Sequence, residues 1–147
     1  MDMQVEFPGG MCVEAHFAGM VVRTDQSRAE GGEASAPSPF ALFQASLATC
    51  AGYYVLAFCR RRSLPTAGLR LLQRTRPDPQ SGMLATVELD IVVPPTFPEK
   101  HREALVRAAE QCTVKKHLER PPSFQVRTVL AEDAVPQAAS ASQENPC

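Results

Sequence analysis

Pro39-Phe40-Ala41-Leu42-Phe43-Gln44-Ala45-Ser46-Leu47-Ala48-Thr49-Cys50-Ala51-Gly52-Tyr53-Tyr54-Val55 is the stretch on which the fold turns. It is apolar around most of a helical circumference, which predicts a buried central helix. Ser38 stands where a cap belongs, Pro39 suits a first turn, and Arg60-Arg61-Arg62 suits the negative end. Cys50 rides on this helix, so its thiol is expected to be shielded from bulk water. A second cysteine, Cys112, opens Cys112-Thr113-Val114-Lys115-Lys116-His117-Leu118, where nearby cations are expected to favour its thiolate. One shielded and one activated thiol suggest redox chemistry.

The flanking segments predict mostly antiparallel strands. Residues 3–7, 11–17 and 20–24 read as three short strands, parted by the turn sequences Pro8-Gly9-Gly10 and Ala18-Gly19. A loop from Asp25 to Ser38, rich in Gly, Ser, Ala and charge, delivers the chain to the helix. Beyond Pro65 and Gly68, residues 69–76 read as a strand turned through Pro77-Asp78-Pro79-Gln80-Ser81-Gly82 into a second. In that second strand Val87, Leu89 and Ile91 alternate with Thr86, Glu88 and Asp90, as in a sheet with one wet face. Thr96-Phe97-Pro98-Glu99 has the form of a capping box, and Leu105, Ala108 and Cys112 are spaced to share one side of the next helix. Residues 124–130 read as a last strand, and residues 132–147 as a disordered tail. The fold class is α+β, with a single domain over residues 1–131.

Composition narrows the function classes. A chain of 147 residues is large enough to enclose a real core. Its formal net charge of -1, with both signs interspersed, gives no electrostatic footprint for nucleic acid or an anionic membrane. Gln44, Ser46 and Thr49 interrupt the apolar helix and arginines follow it, so it is not expected to span a membrane. An acid near the start and a proline soon after it do not fit a signal peptide, which points to the cytoplasm. The five cysteines, at 12, 50, 59, 112 and 147, lack the close pairs of a zinc site or a secreted disulfide framework. His16, His101 and His117 have no ligand spacing, so no metal is expected. Cys59 lies nine residues after Cys50, on the opposite side of the helix at about 100° per residue. Adjacent aromatics such as Tyr53 and Tyr54 are most often core, and a lone buried cysteine is most often a small hydrophobe.

The order of strands, long helix around a cysteine, hairpin, and helix running into a second cysteine resembles the OsmC/Ohr family of hydroperoxide-handling proteins, over residues 21–130. The family pattern before the first cysteine, a proline, then Glu-Leu-Leu, then small residues and Leu, keeps its spacing from Pro39 to Cys50 through Leu42, Phe43, Ala45 and Leu47. The second pattern, Cys-Pro-Val with a later Leu, is met by Cys112, Val114 and Leu118. Thr24-Asp25 and Gly31-Gly32 resemble the family's loop before the long helix.

The resemblance implies two sheets with two central helices, completed by an intertwined homodimer. It implies a thiol-dependent peroxidase that needs no cofactor and reduces organic hydroperoxides, with Cys50 peroxidatic, Cys112 resolving and a dithiol as reductant. Arg28 is the nearest counterpart of the loop arginine that serves the thiolate, with Arg23 behind it. Phe40, Phe43, Tyr53 and Tyr54 would line an apolar substrate pocket. One departure stands out: Phe40 and Ala41 occupy the first turn, where active members carry a glutamate. That absence favours the alternative, a catalytically weakened member that binds a small apolar ligand without turnover.

Overall fold

Local signals are enough to place most elements. A computed structural model describes residues 1–131, so the expected tail lies outside the described residues. Strands β1 (Gln4–Gly9), β2 (Cys12–Phe17) and β3 (Met20–Thr24) form a meander in the order β1-β2-β3, antiparallel throughout. The β2–β3 turn holds both Ala18 (φ 48°) and Gly19 (φ 74°) in the left-handed region, the pairing that a two-residue hairpin turn of matching twist requires. Across the meander Arg23 bonds Glu14 at 2.7 Å, and the Thr24 hydroxyl donates to the Val13 carbonyl at 3.2 Å.

Helix α1 (Pro39–Arg61) begins where its cap predicts, with the Ala41 N–H donating to Ser38 Oγ at 3.2 Å. It closes through Ser63 (φ 52°) as the Leu64 N–H reaches back to the Cys59 carbonyl at 2.9 Å. Strands β4 (Arg70–Pro77) and β5 (Leu84–Val92) make the expected antiparallel hairpin, with Leu71 opposite Ile91 and Thr75 opposite Val87. Two short helices follow, α2 (Arg102–Ala109) and α3 (Thr113–Glu119).

Three expectations about the later segments need correction. Thr96-Phe97-Pro98-Glu99 does not act as a capping box: Pro98 takes the cap position of a 3₁₀ turn, Glu99–His101, with no side-chain cap bond. A proline carries neither the hydroxyl nor the N–H that such a box uses. Cys112 is not on the helix that carries Leu105 and Ala108, because that helix ends at Ala109 and Cys112 caps α3 instead. Residues 124–130 form no strand. Among the described residues no strand supplies that segment with a ladder, and Phe124 and Val126 stay 84% and 96% exposed.

The described residues group into two compact units, Met1–Leu42 with the segment from Ser123, and Phe43–Pro122. The second has its own core of Val55, Phe58, Cys59, Phe97 and Leu105, flanked by Leu64, Leu69, Leu71, Ile91, Val93 and the alanines of α2. Burying Leu105, 1% exposed, is worth about 1.5–3 kcal/mol by itself. Helix α1 is long and apolar enough to cross a membrane by length and composition alone, but its stripe Leu47, Ala51, Val55, Phe58 and Cys59 is buried. The spacing of that stripe is that of a core helix in a globular unit. Phe40, Tyr53 and Leu56, off that stripe, are exposed.

The first unit has a buried carboxylate. Asp25, 2% exposed, accepts four hydrogen bonds: from the N–H groups of Gln26 (2.8 Å), Glu33 (3.1 Å) and Ser35 (2.9 Å), and from the Ser35 hydroxyl (2.8 Å). These bonds, led by those from the Ser35 N–H and hydroxyl, hold its carboxyl below the usual carboxylate value against the cost of burial. Gly32 lies so close that a Cβ there would sit 2.1 Å from the Gln26 carbonyl oxygen. The segment from Asp25 to Ser35 is therefore a folded loop wound on one carboxylate.

Candidate thiol site

Cys50 and Cys112, 62 positions apart in sequence, both lie in the second unit, where the Cys112 thiol is 3.9 Å from the carbonyl of Leu47, three residues before Cys50 on α1. Helix α1 carries Cys50 beside its buried stripe, which leaves the thiol half-buried. Cys112 is delivered by the turn after α2, which Leu105 anchors in the core and which the Cys112 N–H tightens by donating to the Ala109 carbonyl at 3.1 Å. The Cys112 thiol is 2% exposed. It points toward the Leu47 carbonyl of α1 at 3.9 Å and accepts the Lys115 N–H at 3.5 Å. Both cysteines are free thiols.

Their acidities are opposite to the sequence expectation. Burial pushes the Cys50 thiol up, but the Val114 N–H, the Cys112 thiol and the Thr113 N–H outweigh it and bring Cys50 below the ordinary thiol value. Burial pushes the Cys112 thiol up; the Lys115 N–H opposes this, and Cys50 beside it adds to the rise. The lysines meant to activate Cys112 are engaged elsewhere: Lys116 Nζ donates to Gln111 at 2.7 Å and Lys115 Nζ lies 3.7 Å from Glu119. Cys59 is fully buried in the apolar core, which pushes its thiol up.

The other predicted residues divide. Tyr54, one turn beyond Cys50, bonds Thr113 hydroxyl to hydroxyl at 2.9 Å. Tyr53 packs edge-on against the Tyr54 ring, with centroids 5.3 Å apart, and is 66% exposed. Phe43 is half-buried on the first turns of α1. Phe40 and Arg28 belong to the other unit, where Phe40 is 53% exposed and Arg28 stands exposed on a 3₁₀ turn, Arg28–Glu30. Arg23 is committed to Glu14 across the meander. Sequence reasoning missed Thr113 and Val114, whose contribution is backbone N–H groups that no side-chain pattern advertises. It also missed Asp25 as a buried charge, although a Ser and two Gly within ten residues were a usable sign.

None of the curated proteins compared matches this chain. Solved structures do. A protein described as an osmotic stress induced and detoxification response protein, from Psychrobacter arcticus 273-4, superposes with a TM-score of 0.66 at 21% identity, over 78% of this chain and 85% of that one. An OsmC-like hydroperoxide resistance protein from Jannaschia sp. CCS1 gives 0.51 at 21% identity, over 88% and 92%. A Vibrio cholerae protein described as an organic hydroperoxide resistance protein, with captopril bound in one of its active sites, gives 0.52 at 19%, over 82% and 85%. At these identities the likeness establishes the α+β fold with antiparallel sheets. The family model for OsmC-like proteins matches residues 32–127, which takes in α1, the hairpin, Cys50 and Cys112, and the chain therefore belongs to the OsmC-like protein family.

Proposed function

We propose that this chain is a thiol-dependent peroxidase that reduces organic hydroperoxides through Cys50 and Cys112. The observation that carries the reading is that two free thiols share the second unit, with the Cys112 sulfur 3.9 Å from the Leu47 carbonyl on the helix that carries Cys50; the lowering of the Cys50 thiol and the raising of the Cys112 thiol support it. The Cys50 thiolate attacks the distal peroxide oxygen, the O–O bond breaks, and an alkoxide leaves and takes a proton to become the alcohol. Cys50 is left as a sulfenic acid. The Cys112 sulfur then displaces hydroxide from it, and with the thiol proton this leaves as water as the disulfide forms. A dithiol reductant reopens the disulfide and is itself oxidised.

The remaining assignments follow from the same reading. Within the second unit, Phe43, Tyr53 and Tyr54 favour apolar hydroperoxides over hydrogen peroxide. A homodimer covers the exposed apolar residues of α1, and the protein works in the cytoplasm. Hydroperoxide resistance proteins among the structural relatives support the substrate class.

The test is consumption of a tert-alkyl hydroperoxide with a dithiol reductant. Wild type turns over; Cys50→Ser abolishes consumption; Cys112→Ser performs one stoichiometric turnover and leaves a trappable sulfenic acid. Peptide mapping after mild oxidation finds a Cys50–Cys112 link. A wild type that consumes no peroxide refutes the reading and favours the ligand-binding alternative, to which the missing acid at positions 40 and 41 already points.

A further inference from the structure

Tyr54 and Thr113 are each tied by sequence to one of the two thiols. Tyr54 follows Cys50 by four residues, so the two share a face of α1 one turn apart. Thr113 directly follows Cys112 and is the middle residue of Cys112-Thr113-Val114, the segment whose N–H groups at Val114 and Thr113 lower the Cys50 thiol, and whose Cys112 thiol lies 3.9 Å from the Leu47 carbonyl, three residues before Cys50 on α1. The two hydroxyls meet at 2.9 Å, joining α1 to α3 across 59 positions of sequence. A second polar link between α1 and this backbone, from the Cys112 thiol to the Leu47 carbonyl, is 3.9 Å long and weak, since a thiol is a poor donor. The short helix α3 contributes no buried side chain that would otherwise fix it to the core. Packing of the buried Cys112 brings the start of this helix to α1, and the hydroxyl bond is placed to fix the residue that follows it, the exposed Thr113.

On the peroxidase reading above, we propose that Tyr54 is a positioning residue that acts through Thr113: the bond between their hydroxyls holds the Cys112-Thr113-Val114 backbone against Cys50, so that its peptide N–H groups stay aimed at the reacting sulfur. Tyr54 then has a second duty beyond lining a pocket. Its oxygen is engaged with Thr113, and it governs how much of Cys50 is thiolate at neutral pH without touching the peroxide. Thr113 supplies two separate things: the hydroxyl that Tyr54 grips and the N–H that faces the sulfur.

The experiment measures the rate of Cys50 alkylation by iodoacetamide against pH on the full chain, with the modified residue located by fragmentation mass spectrometry. It is repeated for Tyr54→Phe, Thr113→Val and the double variant. Tyr54→Phe keeps the ring and Thr113→Val keeps the branched shape, so each removes only one hydroxyl. One ordinary hydrogen bond corresponds to about a two- to tenfold change. Each single variant is therefore expected to alkylate Cys50 about two- to tenfold more slowly at pH 7, with the rate at high pH unchanged, because the midpoint moves upward. The double variant should be no slower than either single one, since the two side chains make one bond. Thr113→Pro, which a first helical position tolerates, removes the N–H as well and should raise the midpoint even with Tyr54 intact.

An unchanged midpoint in Tyr54→Phe and Thr113→Val overturns the proposal. So does a lowered rate at high pH with the midpoint fixed, which would mean altered access, or additive losses in the double variant. The two readings fail separately. A wild type whose Cys50 midpoint responds to Tyr54→Phe but which consumes no peroxide sinks the peroxidase and leaves the clamp, whereas full turnover with a silent Tyr54→Phe profile sinks the clamp alone.

Discussion

Gly32→Ala is expected to unfold the Asp25 loop, and the cause is space rather than backbone angle. The added Cβ would lie 2.1 Å from the Gln26 carbonyl oxygen, 2.6 Å from its carbon and 2.7 Å from Asp25 Oδ1. Two of these three atoms are backbone, so no side-chain rotation relieves the overlap. If Gln26 moves, it gives up bonds at both ends, because its N–H donates to Asp25 at 2.8 Å and its carbonyl accepts from Ala34 at 3.1 Å. Overpacking of this kind costs about 1–3 kcal/mol, and a rigid backbone neighbour puts it at the upper end. For a chain of this size that lowers the melting temperature by roughly 10 °C.

Gly52→Ala is the matched control. Nothing lies within 4 Å of a Cβ at Gly52, in the middle of α1, so the same methyl should stabilise the helix by about 0.5–1 kcal/mol. Thermal unfolding followed by circular dichroism reads both variants, with limited proteolysis to locate cleavage between residues 25 and 37 in Gly32→Ala. A melting temperature for Gly32→Ala within about 2 °C of wild type, or both variants moving in the same direction, would refute the reasoning.

Leu105→Ala should cost about 3 kcal/mol by opening a cavity among Val55, Phe58, Cys59 and Phe97, measurable as a lowered urea midpoint. Cys59→Ser should leave peroxide turnover intact, because that thiol faces the core, yet destabilise by about 1–3 kcal/mol because a hydroxyl is buried without a partner; loss of turnover with unchanged stability would contradict the placement of Cys59. Asp25 has a depressed folded pKa, so its contribution to stability is full above the unfolded carboxylate value of about 3.9 and is lost as pH falls through the folded value. Wild type should therefore lose stability below about pH 4, whereas Asp25→Asn should start less stable at neutral pH and show a flatter acid limb; Asp78, also depressed by its bonds from Ser81, keeps that limb from vanishing. Parallel curves for the two proteins in urea titrations from neutral to acid pH would rule this out.

Much of the architecture was written in short-range signals. The Ser38 cap, Pro39 and the arginines at the far end bound α1 to within a residue or two because caps and helix ends act within one turn. The meander was legible from its Gly and Pro turns, and the hairpin also from the alternation of a strand with one wet face. The same local reading failed at residues 124–130: their pattern suits a strand, but a strand exists only with a partner edge.

Which thiol is the more acidic was decided by tertiary structure alone. In sequence Cys112 stands among lysines and Cys50 in an apolar run, which favours Cys112 as the thiolate. In the folded unit Cys112 is sealed off, its lysines are held by Gln111 and Glu119, and the peptide N–H groups beside it face Cys50. Desolvation and hydrogen bonding to a charge depend on what lies within a few ångströms in space. A side chain's neighbours in sequence say little about which way the backbone donors of a distant segment point. The sequence by itself determined the elements and the two cysteines, whereas the packing of α1 against the turn after α2 decided their surroundings, burying Cys112 beside the helix that carries Cys50 and leaving the Cys50 thiol lowered and the Cys112 thiol raised.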